Sequence, residues 1–207
     1  MKAKARADKK VGSEPKHGIT VSVGYGWNKS DKVCPGYEVL DDPYWASIKE
    51  EFSGLCKAVA SQNNCRIDLR RLRATYGHSI IESVLSHIKR SQALIFDLAA
   101  IRKNVVIPSN GKMPIRKVFD RLNYNVILEL GAAEALDIPC LILCPDHLKK
   151  MIPSDISGFL IVLYTGEFVD GKFERKCTDK RGFQAAFRSM LKDAIESVNE
   201  LASGDEH

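Results

Sequence analysis

Several short signatures are missing from this chain, and each absence removes a class of chemistry. No Gly-x-Gly-x-x-Gly run and no Walker P-loop occurs, so Rossmann-type dinucleotide oxidoreduction and P-loop ATP hydrolysis lose support. No Gly-x-Ser-x-Gly elbow is present to expose a nucleophilic serine. The five histidines, His17, His78, His87, His147 and His207, show no metal-ligand spacing, so no metal is expected. None of the six cysteines forms a Cys-x-x-Cys pair. Cys140 and Cys144 would face the same side of a strand too far apart for a bridge. Reduced thiols in a cytoplasmic protein are the expectation. No apolar run approaches the length of a membrane span, so no membrane partner is expected.

What is present fits one globular domain. The chain has 207 residues, 44% apolar and 28% charged, ordinary values for a single folded unit. Much of the net charge of +5 lies in Lys2, Lys4, Arg6, Lys9, Lys10 and Lys16. Residues 1–18 therefore read as a basic, disordered arm; lacking aromatics, it reads as a solvated tail more than as a nucleic-acid surface. Residues 19–201 form the expected domain, and 202–207 a short tail.

Within the domain, apolar runs alternate in period. Ile19 to Val23 alternates and ends at Gly24-Tyr25-Gly26, a strand and turn. Ile48, Phe52, Leu55 and Val59 mark a helix over Trp45 to Ala60. Cys65 to Leu69 is a second strand, and Ser79 to Ile88 a helix opened near Gly77 and His78. Ala93 to Phe96 is a buried strand ending at Asp97. The Asn125 helix, the strand Cys140 to Cys144 and a fifth strand, Phe159 to Tyr164, follow. A hairpin-like excursion with Gly166 and Gly171 leads to a helix over Phe183 to Leu201, with Phe187, Met190, Leu191, Ala194, Ile195 and Val198 inward. Strands alternating with helices predict an α/β fold with an open parallel sheet covered on both sides, its ligands at the carboxyl ends of the strands. The segment from Ala99 to Leu122, with Arg102, Lys103, Lys112, Arg116, Lys117 and Arg121 against Asp120, is expected as a solvated loop more than a phosphate-attracting lid.

Glu129 is the residue that most resembles chemistry. At helical spacing it shares a face with Val126, Ala132, Ala133 and Leu136. A carboxylate there must be paired, neutralised or used. Position alone leaves two readings, a side chain paired to a nearby Lys or Arg and a functional group. Gly131 permits close approach, and Asn125 stands where an N-cap would. Glu134, among Leu130, Gly131 and Asp137, reads as solvated. Asp97 either grips a ligand hydroxyl or caps the next turn. Gly24 and Gly26 resemble a phosphate-contacting turn only loosely; Asp68 and Asp155 read as turn residues.

The string Asp97 … Asn123-Tyr124-Asn125-Val126-Ile127-Leu128-Glu129-Leu130-Gly131 resembles the signature of bacterial TIR-like nucleotide-binding domains, related to nucleoside 2-deoxyribosyltransferases. Ser91 to Asp97 and Ile152 to Asp155 extend the likeness, which spans roughly Ile19 to Leu201. The resemblance implies a flavodoxin-like three-layer sandwich with a five-stranded parallel sheet. It implies chemistry at an N-glycosidic bond, with Glu129 catalytic and NAD a substrate, not a cofactor. Asp97 would orient ribose hydroxyls, Tyr25 stack on a base, and Gly24 and Asn125 line the pocket. It further implies an NAD+ hydrolase or ADP-ribose cyclase, activated as a homo-oligomer, among antiphage-defence effectors.

This chain departs from the pattern in two places. The segment between Asp97 and Asn123 is longer than usual, and Tyr124 stands where many relatives have proline. Two other functions share the signature: a deoxyribosyltransferase or nucleotide N-glycosidase acting on nucleosides, for which Asp68 is the available second acid, and a non-catalytic nucleotide-binding module. A phosphoacceptor receiver would need acids after the first strand, and Gly24-Tyr25-Gly26 supplies none.

Overall fold

The computed structural model describes residues 18–25, 43–72, 80–102, 105, 110–156 and 159–204. The expected basic arm up to His17, Gly26, Gly77, His78 and the side chain of Tyr25 lie outside the described residues.

Nine strands and five α-helices are described: β1 (Gly18–Tyr25), α1 (Pro43–Asn63), β2 (Arg66–Arg71), α2 (Ile80–Lys89), β3 (Ala93–Asp97), β4 (Ala99–Ile101), β5 (Lys112–Pro114), α3 (Ile115–Val118), β6 (Phe119–Leu122), α4 (Tyr124–Glu134), β7 (Cys140–Pro145), β8 (Ile161–Val169), β9 (Lys172–Cys177) and α5 (Lys180–Gly204). Two short 3-10 turns, Asp146–Met151 and Ser154–Ile156, lie between β7 and β8.

The main sheet runs β2-β1-β3-β7-β8-β5, with β9 on β8. Pairing is parallel from β2 through β8 and antiparallel for β5 and β9. The α/β expectation therefore holds as a mixed, mostly parallel sheet with two strands more than expected. β8 runs to Val169, well past Tyr164, and the excursion expected around Gly166 and Gly171 is the β8–β9 hairpin. Its turn uses positive φ at Asp170 (47°) and Gly171 (75°), which matches the twist of a two-residue hairpin.

Burial explains why these segments fold as they do. All five residues of β3 are buried, as a strand between two helical layers must be. Helix α1 packs with α5, and α2 with α4. Ile48, Phe52, Cys56 and Val59 of α1 are buried at steps of three and four, and Phe52 meets Phe183 and Phe187 of α5 at 5.5 and 5.2 Å between ring centroids.

The stretch expected as a solvated loop, 99–122, is the main correction. Strand β4 pairs antiparallel with β6, and β5 pairs with the far end of β8. Ile115, Val118, Phe119 and Leu122 are buried, and Phe119 joins Tyr44, Phe168 and Phe173 in an aromatic cluster. These apolar residues are scattered among cations, and that interleaving gives no single period to read.

Candidate functional site

Strand order reverses between β1 and β3: the chain passes from β1 to β2 on one side and then to β3 on the other. Loops diverge at the carboxyl ends of such a strand pair and leave a crevice. Glu129 lies there. Its Oε2 is 2.9 Å from the point a Cβ on Gly24 would occupy, and the Phe96 ring lies 2.8 Å from the same point. Gly24 faces Phe96 in the β1–β3 register. A side chain at Gly24 would displace the carboxylate or the ring, so the glycine is required by close approach, not by a turn.

The described neighbours of Glu129 are apolar. Phe96, Val126 and Ala133 are buried, and among the described residues no cation or hydrogen-bond donor meets the carboxylate. Burial pushes its pKa from 4.5 up to about 7. Of the two readings left by periodicity, pairing with a neighbouring Lys or Arg is therefore the one the structure does not bear out. A carboxylate with no counter-charge among the described residues, in a poorly solvated position, is suited to stabilise a developing cation, trap it, or accept a proton.

Asn125 is exposed at the start of α4, four residues before Glu129 and hence one turn away on the same side. It is not the helix cap. Asn123 is, its Oδ1 accepting from the Asn125 backbone N–H at 3.0 Å. Tyr25 faces Asp97 across the β1–β3 register at the strand ends.

Asp97 departs from the expected ribose contact. It is fully buried, and both oxygens are engaged by this chain. The Tyr44 hydroxyl donates to Oδ2, Tyr164 donates at 2.9 Å, the Ala99 N–H at 3.1 Å, and Arg175 at 3.1 Å. Arg175 also donates to Glu51 at 2.8 Å and to the Tyr44 oxygen at 2.8 Å. Its guanidinium carbon lies 4.6 Å from the Tyr164 ring centroid and 5.4 Å from that of Phe173. Burial alone would lower the Arg175 pKa, but Tyr44, Glu51, Asp97 and Tyr164 together hold it well above its usual value. With no surface to offer a ligand, Asp97 positions the end of β3 instead of gripping a substrate. Tyr44, Glu51, Tyr164 and Arg175 were not anticipated from the sequence. An acid ending an apolar strand signals a partner, but these partners lie 53, 67 and 78 positions away from Asp97 in the cases of Tyr44, Tyr164 and Arg175.

Asp68 is also removed from the crevice. It sits in the edge strand β2 opposite Thr20, four residues or about 13 Å short of the level of Gly24. Arg66 binds it at 3.0 Å. Asp155 is an exposed turn residue, as expected.

An open groove of about 1230 Å³ lies elsewhere, between α1, β9 and α5, with Glu51, Arg175, Lys176 and Lys180 among its lining residues. There Glu51 is already matched to Arg175, whereas Glu129 has no partner among the described residues, and that marks the better candidate. Among the described residues, no cluster of three or more His, Cys, Asp or Glu side chains suits a metal ion, and no helix is long and apolar enough to cross a membrane. No known protein-family model matches the chain, and no curated protein matches its sequence.

Proposed function

We propose that the chain is an NAD+ N-glycosidase, a hydrolase or ADP-ribose cyclase, with Glu129 as its catalytic carboxylate. The observation that carries this is the solitary Glu129 carboxylate beside Gly24 at the carboxyl ends of β1 and β3. The parallel strands run in the order β2-β1-β3-β7-β8, which supports reading the fold as a flavodoxin-like, TIR-like sandwich.

Breaking a glycosidic bond builds positive charge on the anomeric carbon, and a carboxylate on that side of the ribose stabilises it. The bond between the anomeric carbon and the nicotinamide nitrogen breaks, and its electron pair leaves with the pyridine ring, which becomes neutral. No proton is needed by that leaving group. Water then adds to the anomeric carbon, losing a proton to Glu129, or an adenine nitrogen adds and closes a ring. A neutral nucleoside would need an acid at its base, and Asp97 and Asp68 are both committed elsewhere. That favours the cationic substrate over the deoxynucleoside. Gly24 admits the carboxylate, and the exposed Asn125 would meet a ribose hydroxyl. NAD is substrate here, and the protein works in a self-associated state as a defence effector that consumes NAD.

The test is chromatography of NAD incubated with wild type and with Glu129→Gln. Nicotinamide release by wild type and its loss in the variant are expected. Release that survives the substitution sinks the mechanism. Base exchange on deoxynucleosides with NAD left intact would assign the chain to the transferase reading, and NAD binding without turnover to the signalling-module reading.

A further inference from the structure

The outer face of α4 is apolar and uncovered. Tyr124 and Leu128 are 71% and 74% exposed, and Gly131 and Ala135 are exposed on the same side. Spacings of four, three and four residues place all four on one stripe about 16 Å long. The stripe is opposite Val126, Leu130 and Ala133, which face the sheet. The two large residues stand at the N-terminal half and the two small ones at the C-terminal half.

That arrangement is complementary to itself. When two copies of α4 lie antiparallel about a two-fold axis, Tyr124 falls over Ala135 of the other copy, and Leu128 falls over Gly131. Each large side chain meets a small one, and each pair occurs twice, as an isologous contact demands. Among the described residues nothing lies within 4 Å of a Cβ built on Gly131, so the hollow at that glycine is open to a neighbour. Charge follows the same symmetry. Arg116, Lys117 and Arg121 are exposed just before α4, and Glu134 and Asp137 are exposed at its end. None of the five has an ion-pair partner among the described residues. Antiparallel pairing sets the basic end of each helix against the acidic end of its partner, and also opposes the helix dipoles favourably.

We infer that α4 is a homodimerisation surface, its occupant a second copy of this chain packed antiparallel through Tyr124, Leu128, Gly131 and Ala135. The inference stands apart from the chemistry assigned to Glu129, which lies on a different side of the helix. A single helix pair falls in the small class of interfaces, below about 1,200 Å². The dimer is therefore expected to be reversible and concentration dependent.

Sedimentation velocity of the full chain over a concentration series tests this. Wild type should shift from monomer to dimer, and Leu128→Glu and Gly131→Leu should each weaken association at least tenfold. Gly131→Leu improves helix propensity and fills space that is empty in the monomer, so its effect reads the interface and not the fold. Arg121→Glu should also weaken the dimer, and Arg121→Glu combined with Glu134→Arg should restore it. A wild type that stays monomeric at about 1 mM overturns the inference. So does a dimer that forms equally well in Leu128→Glu and Gly131→Leu.

Discussion

Replacing Glu129 with glutamine should stabilise the protein while removing its activity, and the pH dependence of the gain is what tests the reasoning. Burial raises the carboxyl from 4.5 to about 7 in the folded state. Below pH 4.5 the group is protonated whether the chain is folded or not, so acid and amide should be equally tolerated. Between 4.5 and about 7 the unfolded chain loses its proton first. The folded state then binds more protons, and wild-type stability falls as pH rises. Above about 7 the folded carboxyl is ionised too, and the loss levels off at a ceiling of about 3 kcal/mol. Part of the side chain still meets solvent, so the realised figure is smaller. For a chain of this size it corresponds to a Tm higher by about 4–10 °C for Glu129→Gln at pH 8. The assay is thermal unfolding of both proteins by circular dichroism from pH 4.5 to 8.5. A gain that does not grow with pH, or a variant less stable than wild type at pH 8, would refute the claim that the carboxylate is unpaired. The activity of wild type should rise with pH through about 7, as the carboxylate ionises.

Other perturbations give equally direct outcomes. Gly24→Ala places a methyl group under 3 Å from both Phe96 and Glu129 Oε2; it should destabilise by about 1–3 kcal/mol and lower NAD cleavage, measured by denaturant unfolding and nicotinamide release. Arg175→Met leaves Asp97 buried without its cation and should cost about 3–5 kcal/mol, while Asp97→Leu in the same chain should recover part of that loss in urea melts. Burial pushes Cys140 and Cys144 up to about 12 and Cys56 and Cys177 up to about 11, so these four thiols should resist a thiol reagent at pH 8 until denaturant is added. Mass mapping of early labels to any of them would contradict that.

What the sequence disclosed depended on how local each signal is. The β-branched alternation of Ile19, Val21 and Val23, and the three-and-four spacing of Ile48, Phe52 and Val59, are properties of a few neighbouring residues, and β1 and α1 lie where they predict. Glu129 was singled out in the same way, by its position on an apolar helix face. Its burial is visible in that pattern, but its contact with Gly24 is not, because the two are brought together by a strand order that only the folded chain has. Asp97 shows the opposite case. Its place at the end of an apolar run suggested a ligand contact, and the three side chains that saturate it come from α1, β8 and β9. The 99–122 stretch failed for a third reason. Its buried residues Ile115, Val118, Phe119 and Leu122 are separated by cations, and their burial is imposed by β8 and by the Tyr44–Phe173 cluster, not by any period of their own.

The chain enters and leaves the 99–122 excursion at one point: the Asn123 N–H donates to the Leu98 carbonyl at 2.8 Å. In topology the excursion is thus a closed detour, and a short turn from Leu98 to Asn123 would keep the path from β3 into α4 unbroken. In energy it is a stopper. Phe119 plugs the end of the sheet against Tyr44 and Phe173, and the His147 Nε2 meets its carbonyl at 2.8 Å. A shortened chain would therefore keep its strand order and lose the seal over Tyr44, whose hydroxyl holds Asp97 at the end of β3. The segment is the lid of the core beside the carboxyl end of β3, and a change of length there would be felt at Glu129 through Asp97 and Phe96.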